Sequence, residues 1–172
     1  RIYLQHSDVG SVGLKQLSVL RLLEDLDLSE TKITNTALRH LTGLPQLTNL
    51  RLNGTNIDGS SLTFLSNCPH LQQLSLTRIR LSTEGMTAVN GLKHLRVLWI
   101  GQADELNLSD LPWLHEVYGS VGETPDDRVA VQLVRLPRFK IVALNIRGRI
   151  RKFEMNDLPN LRRFQISCSR LD

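Results

Sequence analysis

The chain has 172 residues, 41% of them hydrophobic but only 5% aromatic, so aliphatic side chains, chiefly leucine, must carry its burial. That length suffices for one compact unit with a continuous core, and no apolar run approaches the ~20 residues that span a bilayer. The net charge of +4 is uneven: residues 1–127 hold 10 Lys/Arg against 14 Asp/Glu, whereas residues 128–172 hold 11 against 3.

The first unit runs from Ile2 to Leu22, with Ile2, Leu4, Val9, Leu14 and Leu17 facing inward and Gly10 and Gly13 weakening its helix. A stretch of 24 residues then follows three times, as Leu23–Gln46, Leu47–His70 and Leu71–His94. A fixed period in this range marks a repeat architecture. Each copy opens with L-x-x-L-x-L: Leu26 and Leu28, Leu50 and Leu52, and Leu74 and Leu76 alternate with polar residues, the pattern of a half-buried strand. Ala37, Leu38, Leu41 and Leu44 then follow helical spacing, with Thr34 or Asn35 as the expected N-cap. Pro45 and Pro69 end the helix and return the chain to the next strand. One unit is strand, turn, short helix, return. None can bury both of its apolar faces alone, so neighbours must stack.

A fifth strand, Leu95–Ile100, keeps the step of 24. Then the pattern shifts. Leu106–Leu114 and Phe153–Leu161 alternate with period two and share D-L-P-x-L, which predicts short extended back segments in place of helices. Later strands are expected over Leu114–Val121, Phe139–Ile146 and Leu161–Cys168, eight in all. Their inward residues are Val117, Val142 with Leu144, and Phe164 with Ile166. Gly119–Asp127 reads as a loop by its Gly, Pro and Asp content.

L-x-x-L-x-L followed by T-x-I-T resembles the leucine-rich repeat superfamily, in a short-period variant with Thr31 and Thr55 where many members carry Asn or Cys. The resemblance implies an α/β solenoid, a right-handed horseshoe. A parallel β-sheet lines its concave face, and short helices and extended segments form its convex face. It also implies a non-enzymatic module that binds proteins through the concave sheet. On this reading residues 1–172 are a single domain of about eight units, regular over 1–100 and irregular over 101–172. The chain opens in mid-strand and closes without a polar helix, so it is expected to be a fragment of a longer protein. Cys68 and Cys168 are far apart in sequence, which suits a reducing, intracellular compartment.

Strand alternation assigns the residues of the inner face. In the first half they include Asp25, Asp27, Asn49, Arg51 and Gln73, a plain polar surface. In the middle Trp99 and Tyr118 occupy neighbouring strands, with Val97, Glu116 and Ile141 beside them. An aromatic pair rimmed by polar residues is the composition of a binding hot spot. The competing expectation is that Trp99 packs under a neighbouring loop. Trp113, just before a strand, is expected to pack against the back layer. The run Arg147, Arg149, Arg151, Lys152 offers an alternative, a nucleic-acid or anionic surface, or else a solvated rim with Ile150 tucked inward.

No catalytic motif is present: the chain lacks a Gly-rich phosphate loop, a G-x-S-x-G elbow and H-E-x-x-H. Asp25 and Asp27 share one face but lack the closed pocket that acid–base work needs, and an ion pair with Arg51 is expected instead. His70 and His94 hold equivalent positions, yet two imidazoles fall short of the four ligands of a structural zinc site. No cofactor, metal or small-molecule substrate is expected. The expected partner is another protein, and a substrate-recognition role in a ubiquitin ligase is one form that the resemblance allows.

Overall fold

The computed structural model describes residues 1–103, 105–122 and 128–168. Its concave layer is an eight-stranded parallel sheet. The strands are β1 (Ile2–Tyr3), β2 (Asp25–Asp27), β3 (Asn49–Arg51), β4 (Gln73–Leu81), β5 (Val97–Ala103), β7 (Glu116–Val121), β9 (Ile141–Ile146) and β11 (Arg163–Cys168). Three further strands, β6 (Glu105–Ser109), β8 (Arg128–Val134) and β10 (Arg149–Asn156), form a second parallel sheet on the back, in the order β10-β8-β6.

The register follows the leucine pattern. Leu26, Leu50, Leu74 and Leu98 are direct cross-strand neighbours, continued by Val117 and Val142. Leu28, Leu52 and Leu76 form the second interior row, and all three are fully buried. One continuous core runs from Leu14 to Ile146. Fully burying one such leucine stabilises the fold by about 1.5–3 kcal/mol. The stack therefore rests on many equivalent contacts, with no single centre.

The first two 24-residue copies turn away from the sheet by the same device, and the third carries Ile79 at that position. The Thr31 hydroxyl donates to Leu28 O at 2.5 Å and the Thr55 hydroxyl to Leu52 O at 2.7 Å, which satisfies a buried carbonyl at each turn. His6, Glu30, Gly54 and Arg78, at intervals of 24 residues, all adopt positive φ near 60°, the first three just past a concave strand and Arg78 at the register shift within β4. At Gly54 a side chain would also displace the Glu30 carboxylate, which crosses above it to pair with Arg78.

The back layer changes partway along. It begins with α1 (Ser11–Leu17), continues as 3₁₀ helices at Asn35–Gly43 and Ser60–Asn67, and returns to α2 (Thr83–Asn90). Thr34 holds the N-cap of the first 3₁₀ helix, but its side chain does not cap it. Asn35 instead bridges two units: its Nδ2 donates to Asp58 Oδ1 at 2.8 Å, and its Oδ1 accepts from Ser61 Oγ at 3.2 Å. From β6 onward the back is extended, as the D-L-P segments predict. The third back strand, β8, was not predicted. Val129, Val131 and Leu133 alternate inward there, and no D-L-P signature flags them. The expected loop over Gly119–Asp127 is also corrected. Gly119 to Val121 belong to β7 and pair in register with β9, because Gly119 has no side chain to strike Ile100 O 2.5 Å away. Residues 123–127 lie outside the described residues.

At the far end Phe164 stands in register with buried Val142 yet is 45% exposed, and it meets Phe153 edge-on at 5.9 Å between ring centroids. Ile150, expected to tuck inward, is also exposed, because β10 is the outer strand of the back sheet.

Candidate functional site

The concave face divides by its own hydrogen bonding. In the regular half its polar side chains satisfy one another. Arg51 Nη1 donates to Asp25 Oδ1 at 2.9 Å, Asn53 Nδ2 to Ser29 Oγ at 3.2 Å, and Ser75 Oγ to Asn53 Oδ1 at 2.6 Å. Asp27 Oδ1 accepts from its own turn, at Ser29 N, 2.9 Å away. Asp25 was expected on the exposed face. It is instead only 6% exposed, because the arginine one strand over lies across it. A buried carboxylate already held by a guanidinium supports the surface and does not present itself to a partner. Asn49 and Arg51 are half-buried, and Gln73 is exposed at the first position of β4.

In the second half the middle row of the sheet reads Ser75, Trp99, Tyr118, Ala143 and Gln165, each paired with the next. Trp99 and Tyr118 stack, with ring centroids 6.0 Å apart and planes 16° from parallel. Both are half-buried, so each turns part of its ring outward from the sheet. Val97, Glu116 and Ile141 form the adjoining row, also half-buried. The Tyr118 hydroxyl donates to Glu116 Oε2 at 2.8 Å. That bond and partial desolvation push the phenol pKa upward and orient the ring. The β-ladder therefore assembles all five sequence-predicted residues of this cluster into one patch: two rings, two aliphatic side chains and one carboxylate.

The basic run lies elsewhere. Arg149, Arg151 and Lys152 belong to β10, the outer strand of the back sheet, and are exposed there, as is Arg147 just before it. Arg151 pairs with Glu105, and Lys152 pairs with Glu154 at 3.1 Å, so half of the run has acidic partners.

Trp113 departs from expectation. It is 36% exposed, with the Arg138 guanidinium carbon 3.7 Å from its ring centroid and that of Arg96 at 5.9 Å. The ring faces two arginines across the turns, not the back layer. The sequence carried one sign of this: Trp113 and Arg138 hold equivalent turn positions of successive units, and Arg96 lies two residues past that position in the unit before. Next to these turns, an open groove of about 800 Å³ lies among Pro112, Pro137, Leu158 and Pro159, flanked by the Asp110–Arg135 ion pair.

Cys68 is buried beneath a unit interface, where its thiol donates to Leu41 O at 3.5 Å and desolvation pushes its pKa up to about 11. A thiol kept protonated in this way is unreactive. His70 and His94 are exposed, and among the described residues no three His, Cys, Asp or Glu side chains converge as a metal site would require. Among the described residues, no helix is long and apolar enough to cross a membrane.

Comparison with known proteins agrees with this architecture. The family model described as FBD-associated F-box protein At5g56370, LRR repeats, matches residues 10–169. A solved internalin, InlF from Listeria monocytogenes, is similar at 20% identity over 92% of this chain, with a TM-score of 0.45. The chain spans 58% of that internalin's length. No curated protein matches the sequence. No catalytic family is indicated, and a leucine-rich repeat domain is in general a protein-interaction module. The chain belongs to the leucine-rich repeat family described by the LRR repeats of FBD-associated F-box protein At5g56370.

Proposed function

We propose that the chain grips a protein partner in its concave sheet, centred on the stacked Trp99 and Tyr118 with Val97, Ile141 and Glu116 around them. The observation that carries this reading is the stack itself, half-exposed in a sheet whose other half is already hydrogen-bonded to itself. Aromatic side chains anchor interfaces because they desolvate large area at little cost in conformational entropy. Gln73, Asn49 and Arg51 form the polar rim beside the stack. Asp25 acts behind it by holding Arg51, and Asp27 caps its own turn at Ser29 N.

The family match supports one reading of the partner's nature. Leucine-rich repeats also serve as substrate-recognition parts of ubiquitin ligases, and a match to the repeats of an F-box protein favours that role here. The bound protein would then be a substrate awaiting modification. Two free cysteines support an intracellular setting. The continuous core supports treating residues 1–172 as one domain.

The test is affinity capture with the wild-type chain and with a Trp99→Ala, Tyr118→Ala double variant, followed by direct titration of any partner recovered. Removing both rings should weaken the interaction by at least about 2 kcal/mol, roughly thirtyfold, as for a central hot spot. Equal affinity for the two proteins would remove the site. Accumulation of the partner when proteasomal degradation is blocked would support the ligase reading, and an unchanged level would count against it.

A further inference from the structure

The lateral edge at which the concave strands begin carries a row of side chains fixed by backbone hydrogen bonds. Arg96 N donates to Gln72 O at 2.7 Å, His115 N to Arg96 O at 2.8 Å, Lys140 N to His115 O at 2.8 Å, and Arg162 N to Lys140 O at 2.9 Å. Each bond is one strand step, about 4.8 Å. Arg96, His115, Lys140 and Arg162 are therefore consecutive neighbours. The same row in the regular half reads Glu24, Thr48 and Gln72, so it passes from acidic through neutral to basic. In the turns just before the row, Trp113 lies against Arg138 at 3.7 Å and Arg96 at 5.9 Å.

Arg96, Arg138, Lys140 and Arg162 are all exposed, and none makes an ion pair among the described residues. Like charges on adjacent strands oppose folding. Here they surround His115, whose pKa is pushed below its usual value by burial first and then by Lys140, Arg96 and Arg138, with Glu116 opposing. The fold thus concentrates positive charge around one exposed ring, and among the described residues no carboxylate forms an ion pair with these four cations.

We propose that this row is a docking site for an acidic stretch of a partner protein. The partner's carboxylates would pair singly with Arg96, Lys140 and Arg162, and one of its apolar side chains would cover Trp113. A planar guanidinium donates two parallel hydrogen bonds to a carboxylate. Arg138, 3.7 Å from the ring centroid, adds positive charge beside the row. The chemistry favours a peptide over a phosphate backbone. Glu116 follows His115 directly, and exposed Asp157 stands among the adjacent turns. These acids repel an unbroken line of phosphates, whereas a peptide can space its charges to avoid them. The site lies on the strand starts, outside the concave Trp99–Tyr118 stack, and does not depend on what that stack binds.

The test uses fluorescein-labelled hexaglutamate, with hexalysine and a hexathymidine oligonucleotide as companions, read by anisotropy over a range of salt. Hexaglutamate should bind at low salt and weaken as salt rises. An Arg96→Glu, Lys140→Glu variant should bind at least about tenfold more weakly, whereas Arg147→Glu, Arg149→Glu, of equal charge change on the back sheet, should stay within about twofold. The milder Arg96→Ala, Lys140→Ala variant reads the same loss if charge reversal disturbs folding. Followed by NMR, the His115 imidazole should titrate at higher pH once hexaglutamate is bound, because a nearby anion favours the imidazolium. Equal losses in the two charge-reversal variants would reduce the site to net charge and overturn it. So would absence of hexaglutamate binding, or tighter binding of the oligonucleotide.

Discussion

The two halves of the solenoid solve one packing problem in different ways. Concave strands begin at residues 25, 49, 73 and 97 in the regular half, and then at 116, 141 and 163 in the other. From β2 to β5 the interval is 24 residues each time; the later ones are 19, 25 and 22. Where the back is helical the unit length is fixed, because a helical turn must span the same gap between strands each time. Where the back is a second sheet, β6 and β10 each pair with β8, and the connections can vary without disturbing either ladder. The inner face follows the same division. The regular half closes its polar groups into the Asp25–Arg51 and Ser29–Asn53–Ser75 network. Where the two halves meet and beyond, the Trp99–Tyr118 stack, Trp113 and cations without an ion pair among the described residues stand open. Regularity serves stability here, and the surfaces available for binding gather where regularity ends.

If the change of back layer leaves the core intact, a deletion in either half should be equally severe. Leu52 in the regular half and Leu106 in β6 are both fully buried. Each replacement by alanine should cost about 2–5 kcal/mol in chemical denaturation. A loss below about 1 kcal/mol for Leu106→Ala, against a full loss for Leu52→Ala, would break the comparison by showing that the back sheet shares no tight core. Phe164→Ala should cost less than either, since that ring is already 45% exposed.

A smaller effect sharpens the account of the regular half. Gly54→Ala places a side chain on a residue with φ of 60° and 2.1 Å from Glu30 Oε1. The left-handed conformation alone costs about 1–2 kcal/mol for a non-glycine residue. Loss of the Glu30–Arg78 pairing adds only a surface-sized amount, up to about 1 kcal/mol. A thermal melt of Gly54→Ala beside Glu30→Ala separates the two. Equal losses would mean that the ion pair, and not the backbone, sets the need for glycine.

Most of the fold was legible because its signal is repeated. Leu26, Leu50, Leu74 and Leu98 sit at fixed spacing, and the register that stacks them follows from that spacing. β8 was missed because the alternation of Val129, Val131 and Leu133 stands beside a segment rich in Gly, Pro and Asp and lacks the D-L-P-x-L signature of its neighbours. Alternation placed Trp99 and Tyr118 in adjacent strands, but only coordinates give their stacking. Asp25 shows the limit of that rule. Alternation tells which face a side chain leaves from, and it is silent on whether Arg51 then lies across it. Trp113 was misjudged for a related reason. Its cover comes from Arg96 and Arg138 in the units before and after, contacts that no local pattern encodes.

The smallest effect concerns Cys68, which occupies in one unit the C-cap position that Leu44 holds in the preceding unit. Its folded pKa of about 11 lies above the ordinary thiol value of 9.0. Below pH 9 the thiol is protonated in both states and contributes nothing to pH dependence. As pH rises past 9.0 the unfolded chain releases the proton while the folded chain keeps it, so stability falls until the folded thiol itself ionises near 11. Two pKa units set a ceiling of about 2.7 kcal/mol, and water entry at alkaline pH will keep the loss below it. The comparison that isolates this contribution is Cys68→Ala, which leaves a small cavity but removes the titration. Plotted against pH, the stability difference between wild type and variant should be flat to about 9 and then narrow by roughly 1–2 kcal/mol. A difference that stays flat to pH 11 would mean that the thiol has access to solvent through the Leu41–Cys68 seam. The regular half would then be less tightly closed than its leucine rows require.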